Sequence, residues 1–296
     1  MDRRNENPQI TCRYLKDEDF SKVHETFLEA FSDYLITFQL TREQLERHIL
    51  LNAVDINLSV GCFREERMVG FTLNGFGMWG GKSTIYDAGT GVIPEFRRRG
   101  LSRAMFELLF PMCAERNINQ CLLEVITKND RAVKLYEQLG FYPNRTLMLL
   151  ECKGPINAAL RDNERDIEIR EITQPYWGVF KTFWDGDTSW QNSVEAIERS
   201  LELKTILGAF IGRDCVGYIV FSSNLGRVAQ IAVSKGHRNR GVGTKLLMAM
   251  ADSSRGAESM QIINIDDSLT DAVQFLYNRG FYELLSQYEM VKPLGS

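Results

Sequence analysis

The chain has 296 residues, enough for two domains of ordinary size, and its composition of 44% apolar and 25% charged residues is that of a globular protein. A net charge of −4 gives a nucleic-acid partner no general electrostatic support. No apolar stretch approaches the ~20 residues of a membrane span, so neither nucleic acid nor membrane is expected as a partner.

The start, Met1-Asp2-Arg3-Arg4, has no apolar signal core behind its charges. Cys12, Cys62, Cys113, Cys121, Cys152 and Cys215 are scattered with no close pair. They read as reduced and structural, hence as cytoplasmic. His24, His48 and His237 stand far apart, so no metal site is expected.

In chain order, residues 10–15 alternate like a short strand, and 17–31 carry the apolar stripe of a helix in Phe20, Val23, Phe27, Ala30 and Phe31. Thr41 with Gln44 is a capping box opening a second helix through about Leu51. Residues 57–64 and 67–76 read as strands around a turn at Glu65-Glu66, and the glycine-rich 75–82 as a loop. Residues 84–92 form an apolar run, a buried strand. Residues 120–126 are a further strand, 129–139 a helix stopped by Gly140, and 146–151 more strand.

Residues 153–166 are polar and fit a linker. The order then starts again. Residues 167–172 are a strand, 173–183 and 192–203 two helices, and 205–212 with 216–222 a hairpin. Residues 227–233 are a strand, 241–253 a helix, 260–265 a strand and 271–279 a helix stopped by Gly280. The same succession twice is a tandem duplication: an N-terminal copy in 1–152 and a C-terminal copy in 167–296.

The strongest local signal follows the strand ending at Val92. An arginine-rich turn, Arg97-Arg98-Arg99, runs into Gly100-Leu101-Ser102, and Gly100 opens a helix with Leu101, Met105, Leu108, Leu109 and Met112 on one face. A helix start leaves outward N–H groups, its dipole favours anions, and glycine allows a ligand close to the backbone. Strand, basic turn and glycine-opened helix make a phosphate cradle. It recurs with Arg238, Arg240, Gly241 and Gly243.

Arg-x-x-Gly-x-Gly after a strand, then strand, helix and Leu-Tyr-x-x-Leu-Gly-Phe, resembles the GCN5-related N-acetyltransferase (GNAT) superfamily in its tandem form. The resemblance implies an α/β fold of two acyl-CoA N-acyltransferase domains, each a mixed, splayed sheet flanked by helices. It implies acetyl-CoA as co-substrate, no metal, and an amine acceptor, small molecule or peptide, with the chain a monomer or homodimer. Cofactor contacts would fall to Val92, Arg97, Arg98, Arg99, Gly100, Leu101, Ser102 and Asn129. Residues 123–136 resemble the subgroup that acetylates protein N-termini, which makes Glu124 the general base and Tyr136 the general acid.

The copies differ. Ser102 stands where the second copy has Gly243, a mild departure. Aligning Ala132 with Ala272 and Gly140 with Gly280 sets Asn264 opposite Glu124, Leu269 opposite Asn129 and Leu276 opposite Tyr136. Tyr277, one residue on, lies about 100° round the helix and does not substitute. Catalysis is therefore expected in the first copy. The second cradle is either a working coenzyme A site or a retained scaffold. Two rival readings stand: catalysis in the second copy, and an acyl-CoA sensor without turnover.

Acetyl transfer needs a neutral amine, a donor to the developing oxyanion and a proton for the leaving thiolate. Glu124, a free N–H near Val92 and Tyr136 fit these roles. The connection after the first helix, with Asp33 and Tyr34, puts an acid among aromatics and is read as the acceptor pocket. The identity of the amine is not legible.

Overall fold

The computed structural model describes residues 9–33, 40–157 and 166–295. The chain divides into two compact units, residues 1–144 with 289–296, and residues 145–288. Each is a mixed sheet flanked by helices.

In the first unit β1 (Ile10–Tyr14) leads through a short turn to α1 (Phe20–Ala30). Val23, Phe27 and Ala30 of α1 are buried against the sheet, and the Phe27 ring lies 5.7 Å from Phe71. Next comes α2 (Arg42–Leu51). Its capping box is formed: Gln44 N–H donates to Thr41 Oγ1 at 3.2 Å, and Thr41 N–H to Gln44 Oε1 at 2.8 Å. Strands β2 (Val60–Arg64), β3 (Arg67–Trp79) and β4 (Lys82–Val92) form an antiparallel meander. α3 (Leu101–Glu115) crosses to β5 (Gln120–Ile126), which pairs parallel to β4, and α4 (Asp130–Gln138) follows.

The expected loop over residues 75–82 is instead the end of a long hairpin, turned at Gly80-Gly81 with both φ positive. The glycines misled because one serves a close approach rather than a bend. A Cβ on Gly75 would meet the Asn52 carbonyl oxygen at 2.0 Å.

The second unit contains most of β6 (Tyr142–Cys152), then β7 (Ile167–Glu171), α5 (Trp177–Phe180), α6 (Val194–Glu198), β8 (Thr205–Ile211) and β9 (Asp214–Ser222). β10 (Arg227–Val233), α7 (Val242–Ser253), β11 (Met260–Asp266), α8 (Thr270–Asn278) and β12 (Tyr282–Pro293) complete the chain. The two long helices expected before β8 are one-turn pieces. Pro175 and Gly178 shorten the first, and a stretch of short turns takes the place of most of the second.

Strand order is β1-β2-β3-β4-β5 in the first unit, with the end of β12 beyond β5. In the second it is β6-β11-β10-β9-β8-β7. Each unit thus takes its last strand from the other copy of the repeat. Leu294 N–H donates to the Asn119 carbonyl in the first unit, and β6 pairs antiparallel with β11 in the second.

The reading of six reduced cysteines is corrected. Cys12 on β1 faces Cys62 on β2, and the two form a disulfide. Fifty residues of sequence separate them, and only strand pairing brings them together. Cys113, Cys121, Cys152 and Cys215 are free. No helix among the described residues is long and apolar enough to cross a membrane.

Candidate active site

The site is built around the point where β4 and β5 part. They pair from Thr84↔Gln120 to Asp87↔Leu123 and no further. On its other side β4 pairs with β3 through Asp87↔Asn74 and then Gly89↔Leu73, so Ala88 is a bulge. Past the bulge β4 leaves β5, and a wedge opens between them. Ile93 donates its N–H to Val69 on β3 at 3.1 Å. Strand alternation then turns the N–H groups of Thr90 and Val92 away from β3, into the wedge. A Cβ built on Gly89 meets nothing within 4 Å.

At the wedge's wide end lies the cradle. Arg98 and Gly100 both have positive φ, 62° and 77°. A non-glycine residue rarely adopts this conformation, yet Asn239 and Gly241 repeat it at 59° and 83°. Backbone of alternating hand gathers N–H groups into an anion-binding concavity. No side chain caps α3, whose first turn therefore keeps its N–H groups for a ligand. Arg98, Arg99 and Gly100 are exposed, Ser102 is half-buried, and Leu101 is buried in the core. The Arg99 guanidinium lies over the Phe96 ring, 5.0 Å from its centroid.

Arg97 turns the other way. Its guanidinium donates to both oxygens of Asp33 at 2.6 Å, to the Ala30 carbonyl at 2.9 Å and to the Val92 carbonyl at 3.1 Å. The structure thus joins Arg97 to Asp33, two residues the sequence reading gave to different pockets. The pair holds the Asp33 carboxyl below its ordinary range. Tyr34 lies outside the described residues.

Glu124 is the first residue of β5 beyond the last β4 pair, half-buried at the root of the wedge. Tyr136 on α4 is 8% exposed, with its ring edge-on to Phe106 and Phe141 at 6.0 and 5.7 Å. Asn129 caps α4, its Oδ1 accepting from Ala132 N–H at 3.2 Å.

Two residues at the bulge escaped the sequence reading. Asp87, inside the apolar run 84–92, is buried with four donors on its carboxylate. Gly89 N–H and Thr72 Oγ1 reach Oδ1 at 3.0 and 3.3 Å. Thr90 Oγ1 and the Tyr136 hydroxyl reach Oδ2 at 2.8 and 3.4 Å. Burial pushes Asp87 up to about 6, against the pull of these donors. The signal was present: Asp87 is the one acid in the run 84–92. The second is His48 of α2. Its Nε2 lies 2.8 Å from the Ala88 carbonyl, and Asn52 Nδ2 lies 3.2 Å from its Nδ1. The carbonyl can only accept, so Nε2 carries the proton and Nδ1 accepts from Asn52. Burial lowers the His48 pKa, which keeps the ring neutral.

The second unit repeats the frame with other contents. β10 and β11 pair only through Val228↔Ile262, and Ala229 is the matching bulge. Arg238 repeats the Arg97 clamp, donating to the Val233 and Phe183 carbonyls at 3.1 and 3.0 Å and pairing with Asp185 at 2.7 Å. Arg240 is exposed, and Gly243 packs under Phe275. The place of Gly89 is taken by Gln230, which donates to the Asn192 carbonyl at 2.6 Å. Asn192 Nδ2 in turn donates to the Ile263 carbonyl on β11 at 2.6 Å. Gln230 and Asn192 therefore stitch the second wedge shut at its root. Leu276 is 1% exposed, and its carbonyl accepts from Phe281 N–H as that of Tyr136 accepts from Phe141 N–H. Leu276 thus holds the Tyr136 position, and Tyr277 points outward, 38% exposed.

Comparison with known proteins agrees with this fold. No curated protein matches the chain. A GCN5-related N-acetyltransferase from Sphaerobacter thermophilus is 15% identical, with 97% of this chain and 96% of that one covered at a TM-score of 0.74. A tandem GNAT protein from the clavulanic acid biosynthesis pathway is 13% identical, with 97% and 99% covered, also at 0.74. A GCN5-related N-acetyltransferase from Kribbella flavida is 15% identical, with 96% and 70% covered at 0.60. These likenesses establish the fold. Residues 20–141 and 167–281 each match the acetyltransferase (GNAT) family, so the chain is a tandem member of that family.

Proposed function

We propose that the chain is an acetyl-CoA-dependent N-acetyltransferase acting on an amine, small molecule or peptide, with its chemistry in the first unit. One observation carries this reading. Of two wedges built on one plan, the first is open at Gly89 and holds Glu124 and Tyr136, whereas the second is bridged by Gln230 and Asn192.

The residues present fit the co-substrate. The positive-φ turn at Arg98 and Gly100 with the uncapped start of α3, Leu101 and Ser102 included, would hold a pyrophosphate, with Arg98 and Arg99 supplying charge. Asn129 stands at the start of α4 as a further contact. Arg97 serves this site as a strut between cradle and α1 rather than as a phosphate ligand. The Thr90 and Val92 N–H groups are the candidate donors to an oxyanion.

Glu124 takes the proton that the attacking nitrogen gives up as the N–C bond forms. Tyr136 gives its phenol proton to the sulfur as the C–S bond breaks, and is reprotonated afterwards. Amine and thioester become amide and thiol. An ammonium acceptor must first lose a proton to solvent. No covalent intermediate on the chain is required, and none of its cysteines takes part.

The test is thiol release from acetyl-CoA with a panel of primary amines, for wild type, Glu124→Gln and Tyr136→Phe. General acid catalysis contributes ~10²–10⁴ in rate, so Tyr136→Phe should lower kcat by that order and spare coenzyme A affinity. Turnover retained in both variants would move the chemistry elsewhere.

A further inference from the structure

The duplication supplies its own control on the first active site. The two bulges fix the register between copies without ambiguity: Asp87 corresponds to Val228, Thr90 to Ile231 and Thr72 to Ile219. Tyr136 corresponds to Leu276, as the matching hydrogen bonds from Phe141 and Phe281 require. Four polar groups that meet at one buried point in the first unit are four apolar groups in the second. Val228, Ile219 and Leu276 are at most 1% exposed and sit in the second unit's core.

The same frame therefore closes with a dry cluster. A buried carboxylate is costly wherever an apolar residue of similar size fits. The first unit keeps one, 6% exposed, ringed by donors from β3, β4 and α4. Folding alone does not require it.

Resting on the transferase reading above, we propose that Asp87 is the positioning residue of the first active site, holding the Tyr136 hydroxyl and the bulged β4 backbone in one fixed arrangement at the root of the wedge. Oδ2 fixes the phenol and Thr90, and Oδ1 accepts from the Gly89 N–H just past the bulge. Asp87 touches neither nucleophile nor thioester in this scheme. It acts through Tyr136, holding the phenol oxygen beside the strand whose N–H groups face the acyl carbonyl; the phenol's one proton rests on Oδ2 and turns to the sulfur as the C–S bond breaks.

The experiment is a double-mutant cycle on kcat, with acetyl-CoA and an accepted amine. Asp87→Asn should lower kcat at least tenfold, with KM for acetyl-CoA within twofold of wild type. In a Tyr136→Phe background the same change should do almost nothing further. Losses that simply multiply would show that Asp87 does not act through Tyr136. A second variant asks whether the cluster is needed for folding: Thr72→Ile, Asp87→Val, Thr90→Ile and Tyr136→Leu together, the second unit's set. It should fold with a Tm equal to or above wild type, bind coenzyme A and release no thiol. A lowered Tm or a failure to fold would make the cluster a structural requirement and overturn the proposal. A wild-type chain that acetylates no amine would instead sink the transferase reading, a result distinct from a working enzyme with multiplicative losses.

Discussion

Arg97 holds both oxygens of Asp33 at 2.6 Å while two further N–H groups bind the carbonyls of Ala30 and Val92. One guanidinium thus ties the end of α1 to the end of β4. Arg238 makes the same connection from Val233 to Phe183 and Asp185. A planar fork with several fixed acceptors is a task for arginine and not lysine. Charge-assisted hydrogen bonds are each worth about 1.5–3 kcal/mol. Arg97→Lys should therefore lose about 2 kcal/mol in denaturant unfolding. Asp33→Asn, at a half-exposed carboxylate, should lose under ~1 kcal/mol. Equal losses would show that the carbonyl contacts contribute nothing.

One coenzyme A should bind per chain. The open wedge lies in the first unit, and the second is bridged by Gln230 and Asn192. In calorimetric titration Arg99→Glu should weaken binding by roughly tenfold, about 1.4 kcal/mol of charge reversal beside a pyrophosphate. Arg240→Glu should leave it unchanged. A stoichiometry of two, or the reverse ranking of the variants, would restore the second cradle.

Asp87 makes stability depend on pH in an unusual direction for an acid. Its folded pKa is raised from 3.8 to about 6, chiefly by burial, so the folded state binds its proton more tightly than the unfolded chain. The stability it contributes is present below pH 3.8 and is lost as pH rises through about 6. Relative to wild type, Asp87→Asn should gain on the order of 3 kcal/mol between pH 4 and 7. A difference between the two proteins that stays flat across this window would contradict the burial.

Glu151 in the second unit has the opposite sign. Tyr282, Ser259 and Gln261 donate to its carboxylate at 2.5, 2.8 and 3.3 Å, and Lys153 pairs with it. These contacts, Tyr282 first, bring its pKa down to about 2 against the opposing effect of burial. Its contribution is complete above pH 4.5 and disappears as pH falls towards 2. Wild type should exceed Glu151→Gln by on the order of 3 kcal/mol at pH 7, with the two converging near pH 2. Thermal melts across that range check it.

The Cys12–Cys62 bond closes a chain segment with a sequence separation of 50, and the chain-entropy argument gives about 4 kcal/mol for a loop of that length. Reductant should lower the Tm of wild type and leave that of Cys12→Ser, Cys62→Ser unchanged.

The sequence by itself determined the duplication, the two cradles, the succession of elements and the inequality of the copies. These follow from local periodicity, from glycines at αL positions and from a Tyr-to-Leu exchange on a helix face, all of which act over a few residues. Its misreadings were also local. Gly75 looked like a loop because close approach to Asn52 is invisible along the chain, and Pro175 with Gly178 cut short a helix that its apolar spacing suggested. Only the tertiary structure decided which groups meet. Asp87 reads as an interruption in an apolar strand until α4 brings Tyr136 to it. Asp33 and Arg97, 64 residues apart, become one clamp. Asn192 and Gln230, neither in a motif, close the second wedge. Strand exchange gives each unit its last strand from the other copy. The reason is the same in each case: hydrogen bonds and charges act over a few ångströms of space, and no local pattern encodes which distant segment will fill that space.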